Sequence, residues 1–202
     1  MKTLFFIRHG IAEHNILFNV VGKQIFYDKR YYDTKLTMEG NDQSIQLGEK
    51  IKNENFQGIE LVLTSSLTRT LQTTSNIFKG FKKPIIALDI LKEYPQGLQT
   101  INKRNNKNDL EKLFPNIDFS YLNDNEDKMW NPEREESMKE LHDRINQFNK
   151  ILCSFNESKI AIVGHGAFIG QYKDNKICLL ENGDKELLHC HPYMYTFDEN
   201  RI

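Results

Sequence analysis

Leu4-Phe5-Phe6-Ile7 runs directly into Arg8-His9-Gly10. Four apolar, strand-favouring side chains end in a guanidinium, an imidazole and a residue without a side chain, the pattern of a strand breaking into a loop. The same break recurs twice. Ile160-Ala161-Ile162-Val163 opens into Gly164-His165-Gly166, and Leu61-Val62-Leu63 opens into Thr64-Ser65-Ser66-Leu67-Thr68-Arg69. In an open α/β sheet the carboxyl ends of the strands share one edge, where ligands bind, so two histidines and two arginines are expected to meet there. Imidazole and guanidinium groups gathered at one edge imply chemistry on a phosphate.

Outward from these breaks, strand and helix patterns alternate as βαβ units require. The expected architecture is a three-layer αβα fold with a mostly parallel central sheet. Thr37 is placed to cap a helix from about Met38 through Ile45, Leu47 and Ile51, although Gly40 and Gly48 weaken it. After Ser66, residues Leu67, Leu71, Thr74, Ile77 and Phe78 recur at helical spacing, with Gly80 as the stop. Met138, Leu141, Ile145, Phe148 and Leu152 form another apolar stripe, started near Pro132, which reads as a core-packing helix leading into the His165 strand. The stretch from Pro95 to Asn131, rich in Asn, Lys and Asp, reads as an excursion over the active edge with a short helix around Leu110, Leu113 and Phe114.

The 202 residues suffice for one domain, 1–202, with a substantial core and no covalent staples. Three cysteines, Cys153, Cys178 and Cys190, are odd in number and lack CxxC spacing, which favours a reducing compartment and no zinc. His189-Cys190-His191 has no second ligand pair at zinc spacing and reads as part of a terminal strand. A formal net charge of -1 argues against nucleic acid or an anionic membrane as partner through bulk charge. Met1 to Ile7 is too short for a signal sequence and no apolar run reaches membrane-spanning length, so a cytoplasmic protein is expected. The partner implied is a small phosphorylated molecule, with no metal and no cofactor.

Arg8 and Arg69 suit phosphoryl oxygens, because a planar fork of donors gives bidentate recognition that lysine does not. A neutral imidazole is a good nucleophile toward phosphorus, which makes His9 the candidate nucleophile. Its second nitrogen should donate to a backbone carbonyl that fixes the tautomer, while nearby arginines disfavour the imidazolium. His165 is the second imidazole, poised to donate to a phosphoryl oxygen. Asn15 follows the first loop, where its amide either donates to the phosphate or caps a helix. Expelling an alkoxide needs a proton, and a positioned acid is worth ~10²–10⁴-fold. Composition and spacing leave that acid open among Glu93, Asp89, Glu13 and Glu136. No P-loop, no cysteine-based phosphatase loop and no two-metal carboxylate cluster is evident.

These motifs resemble the histidine phosphatase superfamily, also called phosphoglycerate mutase-like, over nearly the whole chain. Arg8-His9-Gly10 with Asn15 resembles its first motif, and Leu36-Thr37 with Gly40 and Gln43 its second. Ser65 to Thr73, with Arg69, Gln72 and Thr73, resembles the third. Leu91, Glu93 and Gly97 are similar to the segment that carries the acid, and Val163-Gly164-His165-Gly166 to the second histidine motif. Asn102-Lys103-Arg104, Phe114 to Ser120 and Asp127 to Trp130 resemble the eukaryotic phosphoglycerate mutase-like branch, whose members are generally treated as phosphatases. Ile11-Ala12-Glu13 departs from the mutase pattern, and His191 stands where the family has a Glu. The resemblance implies a metal-independent phosphomonoester hydrolase working through a phosphohistidine, with Glu93 as its acid. Two rivals are a mutase that re-delivers the phosphoryl group and a phospho-ligand scaffold without turnover. Simple binding needs neither a nucleophile nor an acid, which argues against the scaffold.

Overall fold

Side chains two apart on a strand share a face of the sheet, and in this chain both faces are apolar. The computed structural model describes residues 1–54, 58–177 and 187–198. Strand β1 (Lys2–Arg8) pairs in parallel with β4 (Lys159–Gly164), which pairs in parallel with β2 (Leu61–Ser65), which pairs in parallel with β3 (Ile85–Leu88). β5 (Pro192–Phe197) closes the other side of β1 and is antiparallel, giving the order β3-β2-β4-β1-β5. On one face Leu4, Phe6, Leu61, Leu63, Ile160 and Ile162 meet α5 (Met138–Ser154) and α6 (Gly166–Asp174) through Leu141, Phe148, Leu152 and Phe168. On the other, Ile7, Val62, Ala161 and Val163 meet α2 (Met38–Asn53) and α3 (Thr68–Ile77) through Leu47, Ile51, Leu71 and Ile77. The three-layer αβα architecture expected from the sequence is present. Each fully buried aliphatic or Phe side chain contributes roughly 1.5–3 kcal/mol.

Local chemistry sets the helix ends. The Thr37 hydroxyl accepts from Gly40 N at 3.0 Å and starts α2 where expected. Gly40 and Gly48 belong in that helix for steric reasons. A Cβ on Gly40 would lie 2.1 Å from Ile11 O, and one on Gly48 would lie 2.8 Å from Ile77 O, so backbones touch at both points. Helix α5 starts at Met138, six residues after Pro132, because Ser137 and Glu140 form a reciprocal capping box. Two shorter helices, α1 (Glu13–Val21) and α4 (Lys107–Leu113), follow the first loop and cross the 95–131 segment respectively.

The 95–131 segment is clamped by buried charge. Arg104, 1% exposed, donates Nε to the Asp89 carboxylate at 2.9 and 3.1 Å and its terminal nitrogens to the carbonyls of Asn105, Asp124, Asn125 and Glu126. Asp127 accepts from Lys92 Nζ at 2.6 Å and from the backbone N–H groups of Arg104, Met129 and Trp130. Farther along, Asp118 exchanges 2.8 Å main-chain hydrogen bonds with Ile85 and Ala87, so the segment covers the otherwise open edge of β3. Cys153 and Cys190 are free thiols, and burial pushes Cys190 up to about 12. Cys178 lies outside the described residues. Among the described residues no helix is long and apolar enough to cross a membrane.

The Lys92–Asp127 pair is fully buried, and its two halves are not equivalent. Among the described residues Lys92 Nζ hydrogen-bonds to Asp127 alone, whereas Asp127 keeps three amide donors without Lys92. Asp127→Ala is therefore expected to cost about 3–5 kcal/mol by stranding a buried ammonium, and Lys92→Met clearly less. Urea denaturation of both variants checks this; equal losses would contradict the asymmetry.

Candidate active site

The register Arg8↔Gly164 sets the ends of β1 and β4 side by side, and His9 N continues the ladder by donating to Gly164 O at 3.0 Å. Residues 9 and 165, far apart in the chain, thereby become neighbours with ring centroids 5.2 Å apart. His9 is 2% exposed and His165 fully buried. His9 Nδ1 lies 2.7 Å from Gly10 O. A carbonyl only accepts, so Nδ1 carries the proton and Nε2 the lone pair. Burial pushes His9 well below the usual imidazole range, and neighbouring basic groups, Arg69 first and then His165, His189 and Arg8, push the same way. His165 Nε2 pairs with Ser65 Oγ at 2.8 Å, while its buried Nδ1 makes no hydrogen bond among the described residues. Burial and the Arg69 charge lower this ring too.

The loop that carries His9 is held by the residues of the second and third sequence motifs. Gly10 N donates to Thr73 Oγ1 at 3.1 Å, Ile11 N to Gln43 Oε1 at 3.1 Å, and Thr37 Oγ1 to Ile11 O at 3.0 Å. A Cβ on Gly10 would lie 2.4 Å from Gly40 O, so the two motifs meet backbone to backbone.

Above this floor lies a pocket of about 400 Å³. Arg8, Arg69, Asn15 and Glu93 all line it, whereas His9 and His165 are not among its lining residues, nor are the other candidate carboxylates Asp89, Glu13 and Glu136. Arg69 is 1% exposed; Nη1 donates to Ile101 O at 2.8 Å, Nη2 to Asn102 Oδ1 at 2.9 Å, and Nε makes no hydrogen bond among the described residues. Burial lowers the guanidinium to about 10, which leaves it cationic at neutral pH. Asn15 Oδ1 accepts from Ala12 N at 2.9 Å, so this residue caps α1 and also borders the pocket. Glu93 is half-buried, and its carboxylate accepts from the N–H groups of Tyr94 at 2.9 Å, Phe168 at 3.2 Å and Ala167 at 3.4 Å. It therefore sits on the amino terminus of α6. The amino terminus of α3 is capped by Asp33, whose carboxylate accepts from Thr68 N and Thr68 Oγ1 at 2.8 and 2.7 Å. A larger hollow of about 750 Å³ lies against α5 around Trp130, Arg134 and Glu140, but neither Arg8 nor Arg69 lines it.

Two histidines at the site escape the sequence reading. His14 lines the pocket with its ring 5.9 Å from His9, Nδ1 paired with Thr34 Oγ1 at 2.7 Å, and burial lowers it. Its place beside Asn15, in the first turn of the helix that follows the first loop, was the available signal. His189 Nδ1 lies 2.6 Å from His9 O, a contact across 180 residues for which local sequence has no pattern. His191, the departure from the family pattern, is exposed and packs its ring against Tyr193.

Residues 4–174 match the family model described as histidine phosphatase superfamily (branch 1). Phosphoglycerate mutase-like protein 1 of Arabidopsis thaliana is 28% identical over 197 residues, covering 83% of this chain and 69% of that protein. A Schizosaccharomyces pombe protein named as a phosphatase is 29% identical over 176 residues, covering 83% of this chain and 76% of its own. Among solved structures, phosphoserine phosphatase of Entamoeba histolytica in complex with 3-phosphoglyceric acid aligns with a TM-score of 0.57 at 23% identity over 98% of this chain and 97% of that one. The α-ribazole phosphatase of Shigella flexneri aligns with a TM-score of 0.57 at 22% identity over 83% and 76%. At these identities the solved structures speak for the fold.

Three buried neutral histidines make the fold sensitive to mild acid. In the unfolded chain imidazoles titrate near about 6.5, whereas the folded protein holds His9, His14 and His165 well below the usual value. Below about pH 6.5 the unfolded chain binds protons that the folded one refuses, so stability falls as pH falls, by roughly 1.4 kcal/mol per pH unit for each histidine. Above that pH the contribution is fully present. The urea midpoint is therefore expected to be level from about pH 8 to 7 and to drop between about pH 6.5 and 5.5, ahead of ordinary carboxylate titration. A midpoint unchanged over the lower interval would contradict the neutral state of these rings.

Proposed function

The chain belongs to the histidine phosphatase superfamily and hydrolyses phosphomonoesters; from that premise we propose that the phosphoryl group passes through a covalent intermediate on His9. The observation that carries the reading is the 2.7 Å contact from Nδ1 to Gly10 O, in a ring kept neutral by burial and by surrounding positive charge. That arrangement leaves the Nε2 lone pair for phosphorus. Attack forms a P–N bond and breaks the P–O bond to the leaving group, while Glu93 hands its proton to the departing oxygen. Water then attacks phosphorus, Glu93 takes back a proton, and the P–N bond breaks to restore neutral His9.

Arg8 and Arg69 hold the phosphoryl oxygens, whose charge redistributes along the reaction. The Nδ1 of His165 is read as a further donor to them, with Nε2 accepting from the Ser65 hydroxyl; the lack of another partner at Nδ1 among the described residues supports this. Asn15 contributes its Nδ2 while its Oδ1 serves the helix. The free thiols of Cys153 and Cys190 support the reading of a reducing, cytoplasmic setting.

Rapid quenching with labelled phosphoester is expected to trap an adduct that survives alkali and is lost in acid, present in the unaltered protein and missing from His9→Ala. Full turnover by His9→Ala would exclude the covalent route. For Glu93, the leaving group separates proton donation from mere positioning. An alkoxide leaves poorly without a proton, whereas nitrophenolate is already a stable anion. Single-turnover phosphorylation by Glu93→Gln should fall by ~10²-fold or more with sugar or glycerol phosphates and much less with nitrophenyl phosphate. Equal losses with both would remove Glu93 from the acid role.

A further inference from the structure

We propose that His189 is a positioning residue for the nucleophile: it holds the His9 carbonyl, and through it the His9 ring, in the attitude from which Nε2 reaches phosphorus. The inference rests on the reading of His9 as nucleophile. His189 Nδ1 lies 2.6 Å from His9 O, and since a carbonyl only accepts, this nitrogen carries the proton. The two rings lie 5.4 Å apart. Around this contact the chain from Leu187 to Cys190 is fastened to the same loop. Arg8 Nη1 donates to Leu187 O at 2.7 Å, Cys190 N donates to Arg8 O at 3.0 Å, and Arg8 and His189 form a parallel bridge.

The geometry gives each contact a different share of the work. On the far side of the loop His9 N is tied to Gly164 O, and Gly10 N to Thr73 Oγ1. These fix where the loop lies. The rotation of the peptide between His9 and Gly10 is constrained by what meets the His9 carbonyl, and that same peptide unit leads to Gly10 O, the acceptor that sets the His9 tautomer. The donor to the His9 carbonyl is a side chain. Unlike the main-chain contacts, it can be removed by substitution at residue 189 alone, and Asn can supply an N–H close to the place of Nδ1.

The experiment compares single-turnover phosphorylation by nitrophenyl phosphate in the unaltered protein, His189→Ala, His189→Asn and His191→Ala, with inorganic phosphate affinity and thermal midpoint measured for each. Near-attack geometry is steep, with about 10²-fold lost for a misplacement of about 1 Å. His189→Ala is expected to slow phosphorylation by about 10-fold to 10²-fold while phosphate affinity stays within about threefold, because Arg8 and Arg69 are untouched. His189→Asn should recover most of the rate, and His191→Ala, at an exposed position, should match the unaltered protein. Should His189→Ala fail to fold, His189→Leu against His189→Asn makes the same comparison.

Phosphorylation by His189→Ala within about twofold of normal would overturn the proposal. So would folded Ala and Asn variants that are equally slow, or a loss expressed wholly in phosphate affinity. An unaltered protein that forms no adduct would overturn the His9 reading itself, and this inference with it; a normal adduct with no effect at residue 189 overturns the inference alone.

Discussion

The hydrogen bond from His9 N to Gly164 O, 3.0 Å long, carries the β1–β4 ladder one residue past the end of the strands. Parallel pairing keeps both carboxyl ends on the same edge, and this last rung brings two glycine-flanked histidines within 5.2 Å between ring centroids. The other groups of the site are attached to that rung. Gly10 approaches α2, Ile11 is held by Gln43 and Thr37, and α6 begins immediately after His165 and presents its amides to Glu93. A shift of one residue in the β1–β4 register would turn every apolar side chain of β1 to the opposite face, so the core that fixes the register also fixes the site.

Such a site is electrostatically costly. Arg8 and Arg69 are 6% and 1% exposed, and three imidazoles share the same small volume. Burial and positive charge act together on the histidines, so all three stay neutral and their nitrogens keep distinct donor and acceptor roles. A chain of formal net charge -1 thus concentrates positive charge where a phosphoryl group would enter, and attracts it locally instead of through its overall field.

Rigidity comes from elsewhere. Arg104 and the Lys92–Asp127 pair are buried beside the strand end that leads to Glu93, and Arg144 donates to Lys92 O while pairing with Glu136. Charges satisfied this completely hold a loop in one arrangement, because any alternative would strand an ion away from water. The residue that supplies the candidate acid is therefore flanked by an anchor on its amino-terminal side and by the α6 amides that meet its carboxylate.

Strands, helices and the apolar faces were legible in the sequence because they depend on periodicity and on caps a few residues away, as with Thr37 at the start of α2. Arg8, His9, Arg69 and His165 were legible for a related reason: each lies in the break that ends an apolar run, and a parallel sheet gathers such ends at one edge. Composition alone left Glu93 among four carboxylates, and only the resemblance of its motif selected it. Only the tertiary structure decided that Asp33 caps α3, that Gly40 and Gly48 are there for backbone contact, that Asn15 caps α1 while bordering the pocket, and that His14 and His189 join the site. The physical reason is reach. A polar contact such as His189 with His9 spans 180 residues, and its partners are specified by where the folded backbone places two atoms, a relation that no local pattern of residue types encodes.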